Sequence, residues 1–503
     1  MDSSKDMKIS ADIEMASPKD LEHVASKTMG DVIAIDGQDS TLLRKIDWRI
    51  VPIMFACYFL QFLDKVVINY ANVMGLAQDL NLRGNDFSWM ATAFFIGSAI
   101  AEFPQGYLLQ KFPLAKVLGC NVMCWGICLC CSAAAQNFAG IVALRTLLGC
   151  FESVISPALV MSTSQWYTKR EAGPRYGFWY CGLGAGQILG GLISFAAQHG
   201  ARNASFSGWR IMMVAVGAFN ICIAVIVLVF LPDSVDGARF LSEDEKAAIR
   251  RKLILDQGGN GAKVFRPASL GEIFLDLQVW LLLLLTILTV IPSGVITTFS
   301  ATLIRGFGYD SKQAALLNMP SGVVSIVSTL MGTLAILRGF PRWLGIVVLL
   351  VPTVIGAGLM SFIAQDNQPG KLAGIYLINF IVAPLAIIYS WVGANTAGYT
   401  KRVAANAVVA IGFAIANIIG PQTFQAQDAP DYLPAKITIF AVAGAAMLVS
   451  VLLRLLYGFR NRSNVRIRQV QLAEFAASGL AVEETDAMQD LTDRQNPAFV
   501  YVY

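Results

Sequence analysis

Phe62-Leu63-Asp64-Lys65-Val66-Val67-Ile68-Asn69 sets an acid and a base side by side in a run that otherwise reads as lipid-soluble helix. Ionisable residues at mid-membrane depth cost roughly 3 kcal/mol each on insertion scales. They face a bundle interior or a water-filled path, so an intramembrane Asp-Lys pair marks a functional site by default. The run extends over residues 50–73, close to the ~20 residues that cross ~30 Å of hydrocarbon. Further runs follow at 87–109, 115–135, 139–165, 174–197, 209–231, 276–303, 313–337, 342–364, 371–396, 403–425 and 433–457. Of the 503 residues, 55% are hydrophobic and 14% charged, against about 25% charged in soluble domains. The expected fold class is an all-α membrane protein with twelve transmembrane helices in two six-helix halves. Long continuous apolar runs exclude an outer-membrane barrel, whose strands alternate. A net charge of +4 is too small to suggest a nucleic-acid partner.

The polar stretches divide the chain. Residues 1–45 mix Ser, Asp, Glu, Lys and Gly without periodicity and read as a disordered cytoplasmic tail. Two six-helix halves are expected at 46–231 and 276–458, joined by a central loop at 232–275 and followed by a cytoplasmic tail at 459–503. Within the loop, Ser242 and Glu245 have the spacing of a capping box, which predicts a short amphipathic surface helix. Lys and Arg cluster in alternate turns: Lys111 and Lys116, then Lys169, Arg170 and Arg175, then the central loop, then Arg338 and Arg342, then Lys401 and Arg402. Both termini are therefore expected in the cytoplasm. The sequon Asn203-Ala204-Ser205 falls in a turn this topology puts outside, making Asn203 a glycosylation candidate. No cleavable signal peptide is visible. A monomer in the plasma membrane is expected.

All nine cysteines lie in apolar segments, so no structural disulfide is expected. Cys120, Cys124, Cys128 and Cys131 share one helix face. They read as small residues for close packing; a metal or redox stripe is the alternative, but no His or carboxylate joins them. Gly182, Gly184, Gly186, Gly190 and Gly191 likewise read as packing faces and not as a phosphate loop. No zinc spacing, Ser-His-Asp constellation or kinase motif appears. Neither enzyme, metal nor cofactor is expected.

The chemistry is expected at the deep charges. Asp64 lies ~21 Å from the inner edge of segment 1, and Arg145 ~9 Å from the outer edge of segment 4. In a ~30 Å core those levels coincide. Glu152, seven residues beyond Arg145, shares its helix face. Asp64 and Lys65 point ~100° apart, so one can face segment 4 and the other the cavity. Lys65 and Arg145 suit an anionic substrate. Asp64 and Glu152 suit proton coupling, because burial and a nearby cation push a carboxyl in opposite directions. The alternative is two interhelix salt bridges that merely neutralise each other. Glu102, Ser293, Asn318, Tyr389 and Asn395 are further candidates for lining the path. Pro157, Pro292 and Pro384 are expected to break segments 4, 7 and 10.

Several stretches carry a family resemblance. They include Arg44-Lys45-Ile46-Asp47 leading to Phe62-Leu63-Asp64-Lys65, and Arg145-Thr146-Leu147-Leu148-Gly149 leading to Glu152. Leu231-Pro232-Asp233-Ser234, Asn395-Thr396-Ala397-Gly398-Tyr399-Thr400-Lys401-Arg402 and Leu491-Thr492-Asp493-Arg494-Gln495-Asn496-Pro497 add to them. Together they resemble a major facilitator superfamily transporter of the anion:cation symporter family, in its fungal allantoate-permease-like branch. The resemblance implies proton-coupled symport of a small organic anion, a carboxylate such as allantoate, nicotinate or pantothenate. It implies Asp64 and Glu152 as protonation sites, with Lys65 and Arg145 handling the anion. Partners would be the substrate, protons and the lipid bilayer. Gln110 stands where the superfamily loop usually carries an acid, and Tyr399 where the branch commonly has His. Export of an acidic metabolite or drug, or a transporter-like nutrient sensor, are the competing readings.

Overall fold

The computed structural model describes residues 18–200, 206–256, 268–364, 366–429, 431–478, 492–497 and 499–503. In chain order the main helices are α1 (Pro18–Val73), α2 (Asp86–Lys111), α3 (Leu114–Ser132), α4 (Phe138–Trp166), α5 (Glu171–His199), α6 (Gly208–Phe230), α7 (Glu243–Asp256), α8 (Ala268–Leu275), α9 (Leu277–Gly306), α10 (Ser311–Leu337), α11 (Arg342–Phe362), α12 (Gln368–Asn395), α13 (Tyr399–Gln422) and α14 (Leu433–Ser478). Among the described residues, all of these but α2, α7 and α8 are apolar and long enough to cross a membrane, by length and composition. α2 has the length, at 26 residues. Ser88, Thr92, Ser98, Glu102, Gln105 and Gln110 lower its mean hydropathy, and it packs against α4 and α13.

By internal contacts, Met1–Pro52 and Ile53–Tyr503 are separate units, and every contact described below lies in the second. There α3 packs on α6, α5 on α10, α9 on α13 and α14, and α11 on α12 and α14. Two glycines show how close the backbones come. A Cβ on Gly149 of α4 would collide with the main-chain oxygen of Phe94 on α2. A Cβ on Gly186 of α5 would lie 3.0 Å from the Leu63 nitrogen on α1. The glycine face of α5 therefore presses directly on the stretch that carries Asp64 and Lys65, the use of small residues that membrane packing favours.

Proline acts as expected at two of three positions. α4 is interrupted after Glu152 and resumes at Ile155, because Pro157 offers no N–H to the Ser153 carbonyl. α12 passes through a 3₁₀ turn at Asn379–Val382 and restarts at Pro384. α9 corrects the third expectation: it runs unbroken through Pro292. Pro292 leaves only the Leu288 carbonyl without its helical N–H, and the packing of α9 on α13 and α14 holds the helix together across that single gap.

The polar segments also carry structure. α1 begins at Pro18, inside the stretch expected to be disordered; a proline start followed by Asp20 and Glu22 suits a helix N-terminus. The capping box before α7 forms, with Ser242 N donating to Glu245 (2.8 Å) and Glu245 N to the Ser242 hydroxyl (3.3 Å). Lys252 of α7 pairs with Glu171 at the start of α5 (2.7 Å). α14 continues past residue 458 to Ser478. Residues 492–503 fold back on the beginnings of α9 and α13 instead of trailing into solvent.

Candidate functional site

Two crossed ion pairs join α1 to α4. Arg145 Nη1 lies 3.3 Å from Asp64 Oδ2, and Lys65 Nζ lies 3.1 Å from Glu152 Oε1. The two α4 partners are seven residues apart, ~10 Å along the axis, and adjacent α1 residues reach both. Asp64 turns to α4 as expected, and Lys65, which lines the cavity, also reaches α4 through Glu152. The interruption after Glu152 leaves that carboxylate at the end of a helical segment, within reach of Lys65.

The four groups are not equally enclosed. Asp64, Arg145 and Glu152 are buried, whereas the Lys65 side chain keeps 18% of its surface. Among the described residues, Asp64 Oδ1, Glu152 Oε2 and Arg145 Nε and Nη2 have no hydrogen-bond partner. Each pair is thus under-satisfied, and a buried ion pair offsets its desolvation only with good geometry and further hydrogen bonds.

Lys65 and Arg145 line a narrow cavity of about 20 Å³ with Ile68, Ala91, Phe94, Phe95, Thr297 and Thr298. The Lys65 ammonium sits 5.9 Å from the Phe94 ring centre, in cation–π range. Two cations converge on one wall, aromatic and aliphatic groups form a second, and neutral α9 hydroxyls a third. The chemistry of the lining, more than its present width, suits a small anion with an apolar body. Phe94, Phe95, Ile68 and Ala91 escaped sequence reasoning because an apolar residue facing a cavity looks like one facing lipid.

None of the five further candidates lines this cavity. Glu102 is exposed on α2. Ser293 lies one turn before Thr297, and its main-chain oxygen accepts the Thr297 hydroxyl. Tyr389 is 38% exposed on α12. Asn395 exchanges hydrogen bonds with the Val502 backbone (2.7 and 2.8 Å). Asn318 is buried and donates to Ser300 (2.9 Å) and Tyr70 (3.1 Å). Asn203 lies outside the described residues.

Asn318 belongs to a neutral seal at the end of the bundle where α1 and α9 finish. Asn69 donates to Ser300 (2.8 Å) and accepts from Ala301 N (3.1 Å), and Asn72 donates to Thr302 (3.2 Å). Nearby, Gln422 donates to Thr92 (2.8 Å) and Ser88 to the Phe424 carbonyl (3.0 Å). These bonds tie α1 and α2 to α9, α10 and α13 without one charged group.

The family profile of the Major Facilitator Superfamily matches residues 54–421, and the chain belongs to that superfamily. The Thiamine pathway transporter THI73 of Saccharomyces cerevisiae is 36% identical over 92% of this chain and 86% of its own length. The Allantoate permease of the same yeast is 32% identical over 92% and 86%. An uncharacterized transporter of Schizosaccharomyces pombe is 34% identical over 98% and 96%. The solved D-xylose-proton symporter superposes with a TM-score of 0.61 over 80% of this chain and 97% of its own, at 14% identity, which shows the shared fold. The protein is a multi-pass membrane transporter of the major facilitator fold, not an enzyme.

Proposed function

We propose that this transporter moves a small carboxylate inward with protons by alternating access, in a plasma membrane, with both termini cytoplasmic. The observation that carries the reading is the pair of under-satisfied ion bridges on one wall of an otherwise neutral cavity. A substrate carboxylate that takes Lys65 separates it from Glu152. A buried carboxylate without a cation costs more than its neutralisation by a proton. Anion arrival and proton uptake are then two sides of one exchange. Asp64 and Arg145, more deeply enclosed, hold the second pair and supply a further cation to the anion. The relative named for allantoate permeation is consistent with a carboxylate cargo.

The test is uptake of labelled nicotinate, pantothenate and allantoate into vesicles under an imposed pH gradient. Uphill uptake that vanishes when the gradient is collapsed supports the reading. Gradient-driven loss from the vesicle would show an exporter, and absence of flux a sensor.

On this reading the neutral seal is the closed outer gate. Each neutral hydrogen bond contributes roughly 0.5–1.5 kcal/mol. Asn318→Ala deletes the one of its bonds that crosses between the two sets, to Tyr70, so the outward-open population should rise about two- to tenfold. A cysteine placed at Thr298, in a background without the nine native cysteines, should then react faster with an impermeant thiol reagent added outside. An unchanged rate would remove Asn318 from the gate.

A further inference from the structure

A second buried charge cluster lies away from the cavity, where α9 and α13 begin. Lys401 Nζ sits 2.7 Å from Glu272, 2.8 Å from Asp276 and 2.8 Å from Asp493, and the side chains of Lys401, Asp276 and Asp493 have no exposed surface. Arg460 of α14 joins it, 2.5 Å from Asp276 and 2.9 Å from Gln278. Burial pushes the Asp276 carboxyl up, but Lys401 and Arg460 outweigh it and hold the group below its ordinary value. Asp276 therefore stays ionised at neutral pH.

Asp493 belongs to the returning segment Thr492–Tyr503. The segment closes on itself: the Tyr501 hydroxyl donates to the Asp493 carboxylate (2.9 Å). Its other bonds reach several helices. Thr492 donates to Glu272 next to α9 (2.9 Å), Trp391 and Asn395 of α12 donate to the Val502 carbonyl (2.9 and 2.8 Å), and Asn461 of α14 donates to the Tyr501 carbonyl (2.8 Å). The main-chain N–H that opens α11, at Arg342, donates to the Tyr503 oxygen (2.8 Å). The Tyr501 ring stacks on Tyr457 of α14 at 5.5 Å. A trailing tail would leave its charge in water; here the buried Asp493 carboxylate is matched by the Lys401 ammonium, with the Tyr501 hydroxyl and the Ala397 N–H donating to it.

We propose that Thr492–Tyr503 is a clamp that binds the neighbouring ends of α8, α9, α11, α12, α13 and α14 into one body, with Asp493 as its key. Each partner named above lies between Glu272 and Asn461. By these bonds the clamp fastens the second set of helices to itself, and they can stay in place while the sets rock against each other. Rocking of rigid bodies is how transporters with this kind of architecture alternate access, and a bundle whose helix ends slipped individually would not transmit it. The proposal does not depend on which substrate is carried.

Hydrogen exchange on the purified full-length chain tests it, comparing wild type with Asp493→Asn and Tyr501→Phe. In Asp493→Asn, backbone amides at 272–278 and 397–403 should exchange at least tenfold faster, together with those at 492–503. Amides around Asn69–Val73 and Arg145–Glu152 should keep wild-type rates. Tyr501→Phe leaves every charge in place and should give a smaller increase over the same segments; it carries the test if Asp493→Asn does not fold. Faster exchange confined to 492–503 would overturn the proposal, because the segment would then be a passenger on helices that hold themselves.

Discussion

Glu152→Gln should abolish uphill accumulation of the substrate anion while leaving exchange of labelled for unlabelled substrate intact. An imposed gradient of two pH units is worth about 2.7 kcal/mol per proton, at 1.36 kcal/mol per unit. One coupled proton therefore supports at most about a hundredfold accumulation, and the variant should show none. Glutamine keeps the size of the side chain and can still accept a hydrogen bond from Lys65, 3.1 Å from the native carboxylate. It is permanently neutral, so it mimics the state in which substrate already holds Lys65. Exchange requires only that the loaded carrier change its facing, which the variant allows. Asp64→Asn should also lose accumulation. Wild-type accumulation in both variants would refute the coupling assignment.

Arg145→Ala should be the most destabilising of the four site substitutions. Asp64 has no exposed surface and Arg145 is its ion-pair partner at 3.3 Å. Breaking a buried pair from one side costs about 3–5 kcal/mol, because it strands the other charge. The double variant Asp64→Asn/Arg145→Ala should recover most of that loss, since no charge is left without a partner. Thermal unfolding of the purified proteins checks both. Full additivity of the two single effects would mean that the pair does not act as a unit. Lys65→Ala should unfold at a temperature nearer wild type, because Lys65 keeps contact with the cavity and Glu152 can take a proton in its place. Its effect should fall on the ligand. Losing a charged hydrogen bond of about 1.5–3 kcal/mol weakens nicotinate-dependent stabilisation roughly ten- to a hundredfold, and undiminished stabilisation would take Lys65 out of the binding site.

The helices were legible because the bilayer imposes a simple rule. A span must be apolar for ~20 residues, and a charge inside it stands out against that background. Asp64, Lys65, Arg145 and Glu152 were conspicuous for this reason, and depth counting alone placed Asp64 level with Arg145. The capping box at Ser242 and Glu245 was legible because both partners lie within one turn. α2 was legible as a helix of spanning length, although its polar residues leave it less apolar than the eleven helices that meet the composition of a span.

What stayed hidden depended on contacts distant in the chain. Adjacent residues on a helix point ~100° apart, which suggested separate destinations for Asp64 and Lys65; close packing of α1 against α4 lets each find a partner there. Asn318 and Asn395 were noticed as polar residues in apolar segments, but whether such a group lines a cavity or bonds to a neighbouring helix or tail depends on what lies opposite. Phe94 and Phe95 gave no signal, since lipid and cavity select the same residue types. Asp493 sat in a polar stretch where a carboxylate is ordinarily solvated, and only the folding back of residues 492–503 buries it against Lys401.

Asp64-Lys65 thus shows both sides of the question. That the pair must be held away from lipid follows from the cost of charge in hydrocarbon, which local sequence reveals. That its two members hold two different partners, the acid with Arg145 and the base with Glu152, follows from the approach of a helix about eighty residues away in the chain, which no local pattern encodes.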